Sequence, residues 1–112
     1  MINTVTYVSN GYVVFMPDVH FTIGTPGESC YNAVVSGTQM LIDRGIADKD
    51  RIGVQGHSWS GYQVAYLVTR TNMFKCASPG AAVSNMVSAY TGIRTGSGMP
   101  RCLCTRRHKV GW

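Results

Sequence analysis

Apolar and polar residues follow one another in blocks along the 112 residues, and the blocks predict strands and helices in alternation. The apolar run at residues 12–16 ends at Pro17 and is typical of a fully buried parallel strand. A second apolar run at 52–55 follows a polar turn, and residues 75–83 predict a further strand with its exit loop. The order predicts an α/β fold with about three parallel strands and flanking helices, joined by right-handed crossovers.

The segments between these strands have apolar residues at helical spacing. A helix is predicted from Glu28 or Ser29, and it ends at Arg44 and Gly45, a basic residue followed by the glycine that favours a helix C-terminus. A second helix, from residue 60 to about 70, is apolar on nearly every face. Asn10-Gly11 predicts the end of an earlier helix, and Ser84-Asn85 predicts the N-cap of a short helix over 86–90.

Two polar segments are interpreted as connections. Residues 19–27 form a loop at the carboxyl end of the first predicted strand, the edge where α/β proteins place binding residues. His20 lies in this loop, and we interpret it as an exposed loop histidine rather than a general base. The charged residues 48–51 predict a solvated turn, because two carboxylates without a third ligand are weak evidence for a cation site.

The candidate chemistry lies between the second strand and the second helix. Gly56-His57-Ser58-Trp59-Ser60-Gly61 places a serine at a sharp strand-to-helix turn, with small residues on both sides. This is the pattern of the nucleophile elbow of α/β-hydrolases, in which a strained backbone presents the serine Oγ above the sheet. One position departs from the commonest pattern, since Ser60 stands where a glycine is usual and the glycine follows at Gly61.

Several segments resemble the catalytic domain of prolyl oligopeptidase family serine peptidases in order and spacing. They span roughly residues 4–101 and include GYVVFMPD at 11–18, GES at 27–29, YNAVV at 31–35, DKDRIGVQGHSW at 48–59 and AVSNM at 82–86. The resemblance implies a partial α/β-hydrolase fold, here assigned as a partial peptidase catalytic domain at 1–101. It implies a peptide substrate, Ser58 as nucleophile, and the backbone amide of Trp59 as an oxyanion-hole donor.

The remainder of a catalytic triad is missing from the sequence. Serine acyl transfer needs a histidine base and an orienting carboxylate, and in α/β-hydrolases both follow the serine. No Asp or Glu occurs after Asp50, and the only later histidine is His108. His57 adjoins Ser58 on a tight turn and is badly placed to accept its proton. A complete domain of this fold has 200 or more residues, so we expect a truncated chain without measurable hydrolytic activity of its own.

The resemblance stops at Arg101, and residues 102–112 form an unrelated basic tail that we expect to be disordered. Related sequences continue much like Met-Phe-Val-Tyr-Glu-Lys, and loss of one base from such a coding segment yields the observed Cys-Leu-Cys-Thr-Arg-Arg. We therefore hypothesise a frameshift near Arg101, whether real or a sequencing artefact. Most of the net charge of +5 comes from Arg101 and the tail. Residues 1–100 carry six basic and five acidic side chains, whereas Arg101, Arg106, Arg107 and Lys109 add four positive charges without an acid.

The charge distribution and the positions of the cysteines argue against nucleic-acid binding and against a metal site. The folded part has no basic face with interleaved aromatic residues, so nucleic-acid binding is not expected. Cys102, Cys104 and His108 do not complete a four-ligand zinc site, and we expect neither a metal nor a cofactor. No apolar stretch approaches the length of a membrane span, and the compartment stays open. Cys30 and Cys76 are interpreted as small buried thiols.

Two alternatives to a peptidase remain. One is an esterase or lipase of the same fold. The other is a noncatalytic remnant that self-associates through uncovered sheet edges, since half a sheet exposes unpaired backbone groups.

Overall fold

The computed structural model describes residues 2–93 and Gly96, and the elements in this part are four helices and two strands. In chain order they are α1 (Thr4–Ser9), α2 (Pro26–Asp43), β1 (Gly53–His57), α3 (Trp59–Arg70), β2 (Cys76–Gly80) and α4 (Met86–Thr91). The predicted tail at 102–112 and the hypothesised frameshift junction lie outside the described residues.

Helix α2 begins earlier than the sequence pattern predicts, at Pro26 rather than Glu28 or Ser29. Proline suits the first helical position because its fixed φ is already helical and its missing N–H would have no intrahelical acceptor there. The helix ends as predicted: Arg44 is its C-cap, and Gly45 adopts a φ of 73° that a side chain would disfavour.

The two strands pair in parallel, with Gly53 opposite Cys76 and His57 opposite Gly80. At the amino ends of the strands, the Lys75 amide donates to the Ile52 carbonyl at 2.8 Å. The Lys75 ammonium also lies 3.6 Å from the Asp50 carboxylate, so the predicted polar turn at 48–51 helps to fix the register. The turn is solvated, as predicted, because both partners of this ion pair are more than half exposed.

Helix α3 contacts both strands and helix α2, and it supplies two of the four buried apolar side chains in the described part, the others being Cys30 of α2 and Ala89 of α4. Val64 and Leu67 are 3% and 1% exposed, and Cys30 of α2 is 2% exposed. Burying these side chains is the main source of stability, because apolar surface removed from water contributes about 25 cal/mol per Å². The short predicted helix after β2 is also present, with the Asn85 side chain accepting the Ser88 amide as an N-cap.

The first of the three predicted strands, at residues 12–16, is not found among the described residues. Residues 12–16 contain no strand, and Tyr12, Val13 and Met16 are 63–73% exposed. A strand needs a neighbour that exchanges backbone hydrogen bonds with it, but β1 pairs only with β2 within the described part. Phe15 instead packs its ring against Gly37 of α2. The observed fold is a mixed α/β arrangement with two parallel strands, compatible with part of an α/β-hydrolase.

Within the described residues, none of the helices is long and apolar enough to span a membrane.

Candidate active site

Ser58 lies where the sequence predicts it, between the last residue of β1 and the first residue of α3. Its backbone is left-handed in φ, at 61°, with ψ at −115°, a region that residues with a side chain rarely occupy. Ser58 is exposed, and its side chain does not cap helix α3. The hydroxyl is therefore presented to solvent on a strained strand-to-helix turn.

Small residues around the turn are required by close packing. A Cβ on Gly56 would lie 2.6 Å from the Ser60 carbonyl carbon, and a Cβ on Gly61 would lie 3.1 Å from the Ala82 Cα. Atoms at such distances overlap, and backbone neighbours cannot easily shift. Ser60, where a glycine is usual, is exposed, and it is accommodated because the facing residue Gly56 has no side chain.

The carboxyl end of β2 holds this turn in place through hydrogen bonding. The sequence alone did not predict this contact. The Ser58 amide donates to the Gly80 carbonyl at 2.8 Å, while the Tyr62 amide donates to the Ser58 carbonyl at 3.2 Å. Ala81, next to Gly80, has a φ of 46°, the other positive φ of a non-glycine residue in the described part. A Gly-Ala-Ala sequence gives little local indication of such a conformation, so only the tertiary contact reveals it.

Trp59, the predicted oxyanion donor, is the first residue of helix α3. Its backbone N–H therefore belongs to the amino end of the helix, where the aligned peptide dipoles favour a developing negative charge. Its indole ring lies 5.2 Å from the Tyr62 ring, and the Tyr62 ring lies 6.4 Å from that of Tyr66. Burial, and secondarily Tyr66, raises the pKa of the Tyr62 phenol.

The structure brings no histidine base to Ser58 among the described residues. No hydrogen bond joins His57 to Ser58 there, and the His57 ring leans over Gly80, with Nδ1 3.1 Å from where a Gly80 Cβ would lie. His57 instead lines a cavity of about 110 Å³ with Gln55 and Ser78, and Ser58 is not part of its lining. His20 is exposed in the predicted loop. No described residue can thus be assigned as the triad base.

The described residues contain no group of three or more His, Cys, Asp or Glu side chains that could hold a metal ion. The two cysteines in this part differ from each other. Cys30 is buried as predicted, and burial raises the pKa of its thiol. Cys76 is exposed, so the prediction that both thiols are buried is wrong for Cys76, because its strand lies at the edge of a two-stranded sheet.

The family comparison covers the segment that contains the serine turn. The model of the prolyl oligopeptidase family matches residues 1–96. The chain belongs to the prolyl oligopeptidase family. Membership supports a hydrolase by family resemblance, and the matched segment includes both strands and the serine turn between β1 and α3. Comparison with curated proteins and with solved structures gave no match.

Proposed function

We propose that this chain carries the nucleophile of a serine peptidase that cleaves peptide bonds through an acyl-enzyme on Ser58. The observation that supports the proposal is the left-handed backbone of Ser58, whose exposed hydroxyl stands between a strand and a helix in a chain of the prolyl oligopeptidase family. A strained residue is retained where surrounding contacts enforce it, and such residues cluster at active sites.

In the proposed reaction, Ser58 Oγ attacks the scissile carbonyl carbon. A C–O bond forms, the C–N bond breaks, and the amine leaves with the proton that the serine gave up. Water then attacks the ester carbonyl carbon and the bond to Ser58 Oγ breaks, which releases the acyl part of the substrate as a carboxylic acid and restores the hydroxyl. The Trp59 amide, at the start of α3, is the proposed donor to the oxyanion.

The proposed catalysis needs a histidine base and an orienting carboxylate. No Asp or Glu follows Asp50 in the sequence, and none of the histidines that the structure describes is hydrogen-bonded to Ser58. Without a triad member, a serine hydrolase retains only about 10³–10⁴-fold catalysis over water, and this remainder depends on an intact binding site. We therefore propose that this chain is inactive alone and acts only with a further segment that provides both groups. The nucleotide sequence on both sides tests the idea, since a restored reading frame should encode them.

The decisive experiment uses the protein expressed from the restored frame, assayed on peptide and on ester substrates. Ser58→Ala should abolish peptide hydrolysis, whereas Ser60→Ala, at an exposed serine two residues away, should retain most of it. Activity on esters alone would favour the esterase alternative. Peptide hydrolysis that survives in Ser58→Ala would refute the assignment of the nucleophile.

A noncatalytic, self-associating role is the second candidate, and the sheet favours it. Residues 76–79 of β2 are all exposed, and β1 has no second partner among the described residues. Unpaired strand edges are templates for pairing with another chain. Size-exclusion chromatography across a concentration series should show association, and a monomer at every concentration would remove this candidate.

A further inference from the structure

A second cavity lies away from Ser58, between the first turns of α2 and the last turns of α3. It measures about 280 Å³ and is lined by Glu28, Tyr31, Asn32, Tyr66 and Arg70. The cavity is open to solvent on one side, and its volume lies just below the range of about 300–1,000 Å³ that is typical of pockets for drug-sized ligands. The cavity therefore suits a molecule of about the size of a small dipeptide.

The walls of the cavity are fixed by packing. The Tyr66 ring lies so close to Gly27 that a Cβ on this glycine would come within 2.7 Å of the ring. The Arg70 guanidinium stacks over the same ring, 5.2 Å from its centroid. A guanidinium held over an aromatic ring still has N–H donors that can bind a carboxylate.

The two charged groups of the cavity form no ion pair with any residue that the structure describes. Neither Glu28 nor Arg70 lies within 4 Å of an oppositely charged group in the described part, and no hydrogen bond there involves either side chain. The cavity thus offers one cation and one anion, with a net charge of zero. A polyanion such as a phosphorylated compound would be repelled by Glu28, whereas a zwitterion would satisfy both groups.

The remaining lining residues suit a peptide. The Asn32 carboxamide has both a donor and an acceptor, as a peptide bond does, and its side chain makes no hydrogen bond to another described residue. The Tyr31 ring supplies an apolar surface for a small side chain.

We propose that this cavity binds a short zwitterionic peptide of dipeptide size, with its carboxylate on Arg70 and its ammonium group on Glu28. The site is separate from Ser58 and goes beyond the proposed peptidase function, since binding here requires no catalysis.

The test is a titration of the 112-residue chain with alanyl-alanine, followed by NMR chemical shifts or calorimetry. Arg70→Gln and Glu28→Gln should each weaken binding at least about tenfold, the effect of losing one charge-assisted contact. The matched control is Arg51→Gln, because Arg51 is an exposed arginine outside the cavity, and it should leave the affinity unchanged. Circular dichroism verifies that each variant folds, and both cavity residues are exposed.

A second ligand separates charge recognition from nonspecific apolar binding. N-acetyl-alanyl-alanine N-methylamide has the same backbone without either charge and should bind at least about tenfold more weakly. The proposal is overturned if alanyl-alanine does not bind, if the blocked peptide binds equally well, or if Arg51→Gln weakens binding as much as Arg70→Gln. Equal competition by inorganic phosphate would also overturn it, since it would identify a simple anion site.

Discussion

The turn at Ser58 and the apolar segment at residues 12–16 both have a strong sequence pattern, yet only the turn has the predicted conformation. The turn is held by contacts within a few residues and by one neighbouring strand, through the Gly80 carbonyl and the packing of Gly61. Residues 13–20 make no hydrogen bond to another described residue. The local sequence is sufficient to predict a conformation when the residues that stabilise it are near in the chain. A strand also depends on a neighbouring strand that must be present to pair with it.

The largest contrast between the two regions should come from truncating apolar side chains. Leu67→Ala should destabilise the chain by about 3 kcal/mol, because Leu67 is 1% exposed and the change leaves a cavity. Met16→Ala, in the unpaired segment, should change stability by less than about 0.5 kcal/mol, since Met16 is 73% exposed. Urea unfolding measures both, and equal losses would mean that residues 12–16 are packed in solution.

Glycine substitutions give a second contrast in stability, between the serine turn and the glycine that precedes residues 12–16. Gly56→Ala should cost about 2–3 kcal/mol, because the added Cβ meets the backbone of Ser60. Gly11→Ala should cost only about 1 kcal/mol, because the site is open and the penalty comes from its φ of 84° alone. If thermal unfolding gives the same loss for both variants, the close packing of the serine turn is wrong.

Much of the fold can be predicted from the conformational preferences of individual residue types. The end of α2 at Gly45, the N-cap at Asn85 and the position of Ser58 all follow from residue types with a direct conformational preference. The unpaired state of residues 12–16 could not be predicted, because an apolar β-type run has the same pattern whether or not a partner strand exists. The positive φ of Ala81 was missed for a similar reason, since β2 packing against α3 imposes it.

The backbone strain at Ser58 is itself testable. Ser58→Gly should stabilise the chain by about 1 kcal/mol, because glycine adopts the left-handed conformation without a Cβ penalty. Ser58→Ala is the matched control and should change stability little, since alanine keeps the Cβ. Equal stability of the glycine and alanine variants in urea would show that the turn is unstrained.

The smallest expected effect is a pH dependence from Cys30 and Tyr62, whose pKa values are raised by burial. The unfolded chain releases these protons first, so the free energy of unfolding should fall as pH rises above the ordinary cysteine pKa of about 8.5. Below that pH the contribution is fully present. Cys30→Ala should flatten the decline in urea titrations, whereas Cys76→Ser, at an exposed thiol, should not. An unchanged slope in Cys30→Ala would assign the decline to other groups.

We propose as the central claim that Ser58 is a positioned nucleophile whose base and acid are not among the residues that the structure describes. The most direct measurement is labelling with a fluorophosphonate probe, with the modified residue located by mass spectrometry. We expect no labelling of the 112-residue chain, and labelling at Ser58 in the protein that also carries the missing histidine and carboxylate. Labelling of the short chain, or of a serine other than Ser58 in the longer protein, would contradict the claim.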